Sequence, residues 1–269
     1  MEKPIPDPLS FFSTYLHLTG VAHLGAEKSG DPRLLGKRLG LLNGSSWVTA
    51  WSNYFGRWFL PGVTLVNAGN DAVQLNFMRA YADAEPCPPA ANIERFVAYA
   101  RDLVELANVD TVLITCSTMN RSYTQVAQAL EPYRVSVVQI DLPMMEAAVA
   151  RGGNVLVIAT HGPTVASTQS LLEETAARFG QTITYDGATV ESAWHKLAEG
   201  DVAGHNQDLA DAIRDQLRRK NYSSVVLAQL SMSAFLFSYP SPEDVFGLPI
   251  FTSGQCGFER VRELLLWNP

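Results

Sequence analysis

The sequence predicts an α/β fold built as two pseudo-symmetric lobes. Each lobe is a parallel-stranded sheet flanked by helices, with the active site in the cleft between them. Three observations carry this expectation. Short apolar runs alternate with helical patterns along most of the chain, the signature of repeated βα units. Most of those runs end in a polar turn that opens the next helix. The order of elements then repeats: LGLLNGSS (39–46) is matched in type by VLVIATHGPT (155–164), and VLITCSTM (112–119) by VVLAQLSM (225–232). Ligands of open α/β sheets bind outside the carboxyl ends of strands, so the repeated polar turns mark the place to look for chemistry.

Composition sets the outer bounds. The 269 residues are 47% hydrophobic and 17% charged, enough apolar material for a large core and too little charge for a disordered chain. A net charge of -7, with no long Lys/Arg stripe, argues against nucleic acid as a partner. No apolar run approaches the ~18 residues of a membrane span, and MEKPIPDPLSFF lacks the pattern of a signal peptide. Cys87, Cys116 and Cys256 are odd in number and widely spaced, which suits neither a disulfide framework nor a zinc site. A cytoplasmic protein with free thiols and no metal is expected.

Residues 1–36 read as an N-terminal arm. Phe11, Phe12, Tyr15, Leu16 and Leu18 give it an apolar helical face, to pack on the body or on a partner subunit, and GDPRLLGKR reads as turn and linker. The first lobe covers 37–150. Its elements are strand Leu39–Leu42, an aromatic-rich helix Trp47–Leu60, strand Val63–Val66, and helices Ala72–Asp83 and Ile93–Ala107. Strand Thr111–Thr115, helix Tyr123–Leu130, strand Val135–Ile140 and helix Met144–Ala150 follow. The second lobe covers 151–269 and can close back onto the first. It reads as strand Val155–Ala159, helix Val165–Phe179 and strand Thr182–Tyr185. A helical segment Val190–Arg219, broken at Glu199-Gly200-Asp201, leads to strands Ser224–Ala228 and Pro249–Thr252 and helix Cys256–Leu265.

Four strand ends would line the cleft: Asn43–Ser46, Cys116–Asn120, Thr160–Thr164 and Ser231–Ser233. Backbone N–H groups at helix N-termini, with hydroxyls from Ser117, Thr118, Ser231 and Ser233, favour a small carboxylate. Ser45, Thr160 and Met232 stand in the same turns and join the candidate substrate-binding set. The glycine patterns GxxxxGK[ST] and GxGxxG of phosphate sites are absent. Cys116 is the candidate acid/base, because a thiol at a helix N-terminus is expected to ionise more easily. The other reading is a small buried hydrophobe at a strand end. His161, Ser231 and Cys256 are candidates for a second acid. Asn43 is either a substrate-binding amide or the start of an Asx turn. Trp47 stands near enough to Asn43 to touch a ligand, and Asp141 is placed to orient neighbours.

Five segments together resemble the aspartate/glutamate/hydantoin racemase superfamily, with its maleate isomerase and arylmalonate decarboxylase relatives. They are TCSTM (115–119), QIDLPMMEAAV (139–149), VLVIATHGPTVAST (155–168), KLAEGDVAGHNQDLADAI (196–213) and VVLAQLSM (225–232). The likeness spans roughly Leu39 to Leu265. It implies cofactor-free chemistry at a carbon next to a carboxylate or carbonyl, on a small carboxylate substrate, in a homo-oligomer. In that family two-base racemases carry a cysteine at each mirrored strand end. The first carries over to Cys116. The second falls on Leu230, with Ser231 beside it, which argues against ordinary two-base racemisation. A single cysteine is also the pattern of arylmalonate decarboxylases, where it resembles the second position. This chain would be the mirror arrangement, protonating the opposite face.

Overall fold

The computed structural model describes residues 7–20 and 30–267. The parts of the expected arm at 1–6 and 21–29 lie outside the described residues. In order, the elements are α1 (Pro8–Thr19), β1 (Arg38–Asn43), α2 (Ser46–Phe59), β2 (Thr64–Gly69), α3 (Asp71–Ala82), α4 (Ala90–Glu105) and β3 (Thr111–Ile114). A 3-10 turn (Ser117–Ser122), α5 (Tyr123–Leu130), β4 (Ser136–Gln139) and α6 (Leu142–Arg151) follow. Then come β5 (Asn154–Ala159), α7 (Gly162–Arg178), β6 (Thr184–Thr189), α8 (Glu191–Ala198), α9 (Val202–Arg219) and β7 (Ser224–Leu227). A second 3-10 turn (Leu230–Ala234), α10 (Phe235–Ser238), α11 (Pro242–Phe246), β8 (Ile250–Thr252) and α12 (Ser253–Trp267) complete the chain.

The strands form two four-stranded parallel sheets with the same topology, β2-β1-β3-β4 and β6-β5-β7-β8. The repeat seen in the sequence is therefore a repeat of connectivity. By compactness, the described residues of 7–113, 124–137 and 261–267 form one unit, and 114–123 with 138–260 form another. The segment Ile114–Tyr123, with Cys116, belongs to the second unit.

The second sheet shows why its strands are continuous apolar runs. Side chains alternate across a strand, so burial on both faces demands apolar residues at every position. Val155, Val157 and Ala159 pack on one face with Met144, Val149 and Leu172 from α6 and α7. Leu156 and Ile158 pack on the other with Leu209, Ile213 and Phe235. Each such side chain stabilises the fold by about 1.5–3 kcal/mol relative to exposure. In the first unit Gly40 is required by close packing: a Cβ there would lie 3.0 Å from Leu103 and 3.2 Å from Val109.

Several boundaries differ from expectation. β6 runs over Thr184–Thr189 and not Thr182–Tyr185, because its register on β5 pairs Asn154 with Thr184 and Ala159 with Thr189. Its polar Asp186 and Gly187 hide the strand in sequence. α7 begins at Gly162, since Pro163 suits the first turn of a helix. The helices expected directly after β3 and β7 are preceded by 3-10 turns. Leu34, inside the stretch read as linker, is fully buried.

Candidate active site

β3 is buried along its whole length and delivers Thr115 and Cys116 at its carboxyl end. Cys116 has extended backbone and caps the 3-10 turn, whose first bond runs from the Met119 N–H to the Cys116 carbonyl, 2.9 Å. The thiol is 4% exposed and lies 3.0 Å from the Thr118 hydroxyl. Burial pushes its pKa up. The Thr118 hydroxyl and the amides of Thr118 and Met119 pull it down, and the charge of Asp141 pushes it up again. The expectation of a thiol made more acidic by a helix N-terminus is thus corrected. The turn here is too short and too tightly wound to supply an α-helix dipole, and desolvation outweighs the local donors. Cys116 rests as a thiol.

Behind it stands a carboxylate. Asp141 caps α6, and the Ile140 N–H before it donates to the Ile114 carbonyl at 3.1 Å. This pairing sets the end of β4 beside the end of β3. The Asp141 side chain is 3% exposed, and burial raises its pKa to about 6 against the pull of Ser117, Asn120 and Ser253. Asn120 Nδ2 donates to Asp141 Oδ2. The Ser117 and Ser253 hydroxyls face the same carboxyl, but Asp141 Oδ1, Asn120 Oδ1 and Ser253 Oγ close no hydrogen bond of good geometry.

In the mirrored turn after β7, Gln229 caps the 3-10 turn as Cys116 does after β3, so Gln229, and not the expected Leu230, stands where β3 carries its thiol. Leu230 is buried, and Ser231 beside it is 7% exposed. Met232 packs into the apolar cluster of the sheet, and its N–H is taken by the Gln229 carbonyl at 3.0 Å. Ser233 is fully buried, its hydroxyl accepting from the Gly254 N–H at 2.9 Å. At the end of β5, Thr160 donates both its N–H and its hydroxyl to Gln229 Oε1, each at 2.8 Å. The donors expected from Thr160 are therefore spent on tying β5 to β7. His161 caps α7 without a side-chain bond and stands edge-on to Trp194, ring centroids 5.1 Å apart. Burial lowers its pKa, so it is neutral at pH 7. Cys256 packs against the Met144–Leu172 cluster, and burial pushes its thiol up to about 12. That leaves it a very weak acid.

In the first unit, Asn43 is fully buried and its amide faces inward. Its Nδ2 donates to Asn67 Oδ1 at 2.9 Å, and its Oδ1 accepts from Ser52 Oγ at 2.8 Å. Asn67 continues the chain to Asn53 at 3.0 Å. Ser45 caps α2 by accepting from the Val48 N–H, 3.3 Å. The N-terminus of α2 already holds an anion, since Asp71 Oδ1 accepts from the Ser46 N–H and hydroxyl at 2.8 and 2.9 Å. Trp47 is partly exposed and packs edge-on to Trp51. A cavity of about 200 Å³ opens beside these groups, lined by Tyr15, Ser46, Thr49, Asn53, Asn70 and Asp71 among others. Cys116 is not in its lining, and the chemistry follows the thiol.

Asn120, Gln229, Ser253, Asn67 and Asp71 are the polar residues that sequence reading passed over. Asn120 closes the very TCSTMN run that drew attention to Cys116, and Gln229 stands where Cys116 does in the mirrored stretch. Both were visible as polar residues at strand ends. Ser253 and Asp71 had no comparable signal.

No family model matches the chain, and no curated protein matches it. Solved structures do. An allantoin racemase from Klebsiella pneumoniae superposes with a TM-score of 0.60 at 16% identity, over 87% of this chain and 89% of its own. An aspartate racemase homologue from Pyrococcus horikoshii gives 0.62 at 15%, over 85% and 99%. This chain has the aspartate/glutamate/hydantoin racemase fold. Unliganded arylmalonate decarboxylase, at 0.53 and 16% over 85% and 92%, shares it. Among the described residues no helix is long and apolar enough to cross a membrane.

Proposed function

We propose that this chain is a cofactor-independent enzyme of the racemase/isomerase type, transferring a proton at a carbon next to a carboxylate or carbonyl through Cys116. The observation that carries the reading is the thiol itself: buried at the carboxyl end of β3, hydrogen-bonded by Thr118, and matched in the equivalent turn by Gln229 in place of a second thiol. A group poised to move a proton to or from carbon needs a defined protonation state and a dry setting. The hydroxyls of Ser117, Thr118 and Ser231 are the donors assigned to the substrate carboxylate and to the enediolate that forms in the step. Asn43, Ser45, Thr160, Met232 and Ser233 act behind them, as the groups that hold the strand ends.

A second reading, decarboxylation of a malonate-like or β-keto acid, is favoured by the resting protonation of Cys116. A thiol can deliver the one proton that an enediolate needs after carbon dioxide leaves. Gln229, at the mirrored position, offers only an amide, far too weak an acid to give that proton. The substrate in either case is a small carboxylate. The acting form is a cytoplasmic homo-oligomer joined through exposed aromatic residues of α1 and α2, among them Phe12, Tyr54 and Trp58.

The test is solvent exchange. Candidate α-substituted carboxylic acids, malonates and β-keto acids are incubated in deuterium oxide with the protein and with Cys116→Ala. Deuterium should enter the α-carbon only with the intact thiol. Carbon dioxide release selects the second reading. A bound carboxylate with no exchange and no release would make the chain a carboxylate binder.

A further inference from the structure

We propose that Asp141 is the positioning residue of Cys116: a buried carboxylate whose bond to Asn120 fixes the turn presenting the thiol, and whose charge acts on the thiol's proton. Three independent features of the second unit place it there. The Ile140 N–H to Ile114 carbonyl bond brings Asp141 alongside the strand end that carries Cys116. Asn120, in the turn that Cys116 caps, donates to Asp141 Oδ2. α12 then closes over the carboxyl with Ser253. One turn on, Gly257 lies so close to Ile140 that a Cβ would meet its Cγ1 at 2.7 Å. The cluster is sealed, yet Asp141 Oδ1, Asn120 Oδ1 and Ser253 Oγ close no hydrogen bond of good geometry, although the Ser117 and Ser253 hydroxyls face the carboxyl. Buried polar groups left this way are unusual in a structural cap, where all bonds are made. They suit a group whose protonation changes.

Two ion pairs bind charged groups of the surrounding elements to one another. Arg121, in the 3-10 turn, pairs with Glu174, and Glu146 of α6 pairs with Arg260 of α12. Burial does most to keep the proton on the Cys116 sulfur, and the charge of Asp141, the smallest of the influences on it, acts in the same direction. Thiol acid and carboxylate are then one unit. When Cys116 gives its proton away, the nearby negative charge makes the thiolate a stronger base and draws a proton back. This inference rests on the catalytic reading only for its purpose. Its physical content needs no substrate.

The experiment reads the modification rate of Cys116 by methyl methanethiolsulfonate across pH, resolved from Cys87 and Cys256 by mass spectrometry. Asp141→Asn keeps an oxygen for Asn120 and removes the charge. It should move the pH midpoint of Cys116 downward and speed modification at about pH 8 by at least about threefold, the effect of half a pH unit on thiolate fraction. An unchanged midpoint, whatever the thermal stability, would overturn the proposal. If that variant does not fold, the wild-type profile decides. The rate should rise by less than about tenfold per pH unit across pH 6, where Asp141 ionises and opposes the thiolate. A uniform tenfold slope would overturn the proposal too. A shifted midpoint with no deuterium exchange on any acid would leave Asp141 as the tuner of Cys116 and remove the catalytic reading.

Discussion

Asp141 makes the stability of this protein depend on pH in a direction opposite to that of most carboxylates. Its pKa stands near 3.8 in the unfolded chain and about 6 in the fold, because burial disfavours its charge. Folded protein therefore binds this proton more tightly than unfolded protein does. Folding stability then falls as pH rises from about 4 to 6, and the full cost persists above that window. At about 1.36 kcal/mol per pKa unit, the cost at pH 7 is about 3 kcal/mol, a large share of a typical domain's net stability. Roughly half of it develops between about pH 5 and pH 7.5, since the unfolded carboxyl has ionised before the folded one begins to. Asp141→Asn removes the term while leaving an amide oxygen for Asn120. Urea unfolding of both proteins at several pH values in this range is the assay. The stability difference, wild type minus variant, should fall steadily as pH rises and then level off above about pH 7. A difference that is constant with pH, or that grows in favour of the wild type, would refute the burial argument whatever the absolute stabilities.

Gln229→Cys places a thiol where the mirrored strand end lacks one. It should cost about 1–3 kcal/mol in a chemical-denaturation measurement, because the Thr160 N–H and hydroxyl lose their shared acceptor. It should also raise deuterium exchange from both enantiomers of any chiral acid the protein turns over, and exchange that stays one-handed would count against the mirrored-site reading. Gly254→Ala puts a Cβ 2.5 Å from Ser233 Oγ and 3.2 Å from Leu230 Cδ1. That overpacking should lower stability by about 1–3 kcal/mol and be visible as a lower Tm. Finally, Phe12 and Trp58 are 54% and 45% exposed on α1 and α2. Phe12→Glu with Trp58→Glu should shift a concentration-dependent oligomer toward monomer in sedimentation velocity, and an unchanged sedimentation coefficient would place the interface elsewhere.

Much of the fold was legible before any coordinates. Residues 155–159 could only be a strand buried on both faces, because every position is apolar and the run is too short for a helix. The likeness of VLITCSTM to VVLAQLSM became two strands in equivalent positions of two sheets with the same order. Where local signals failed, pairing had overridden them. β6 was expected to end at Tyr185, before Asp186 and Gly187, yet six consecutive registered pairs with β5 carry it on to Thr189.

The candidate site divides along the same line. The sequence alone determined that Cys116 stands at the end of a central strand and that no second thiol answers it, while the matched turns moved its counterpart from the expected Leu230 to Gln229. Tertiary structure alone decided what the thiol is. A helix N-terminus was expected to make it acidic, but the turn is 3-10, the site is dry and Asp141 lies behind it, so the proton stays on sulfur. Tertiary structure also turned Asn43 and Thr160 inward, onto Asn67 and Gln229. Protonation and hydrogen-bond partnership are set by desolvation and by groups distant in the chain, such as Asp141, Gln229 and Ser253. No window of sequence contains those neighbours, and so no window of sequence could settle the chemistry of the thiol it displays.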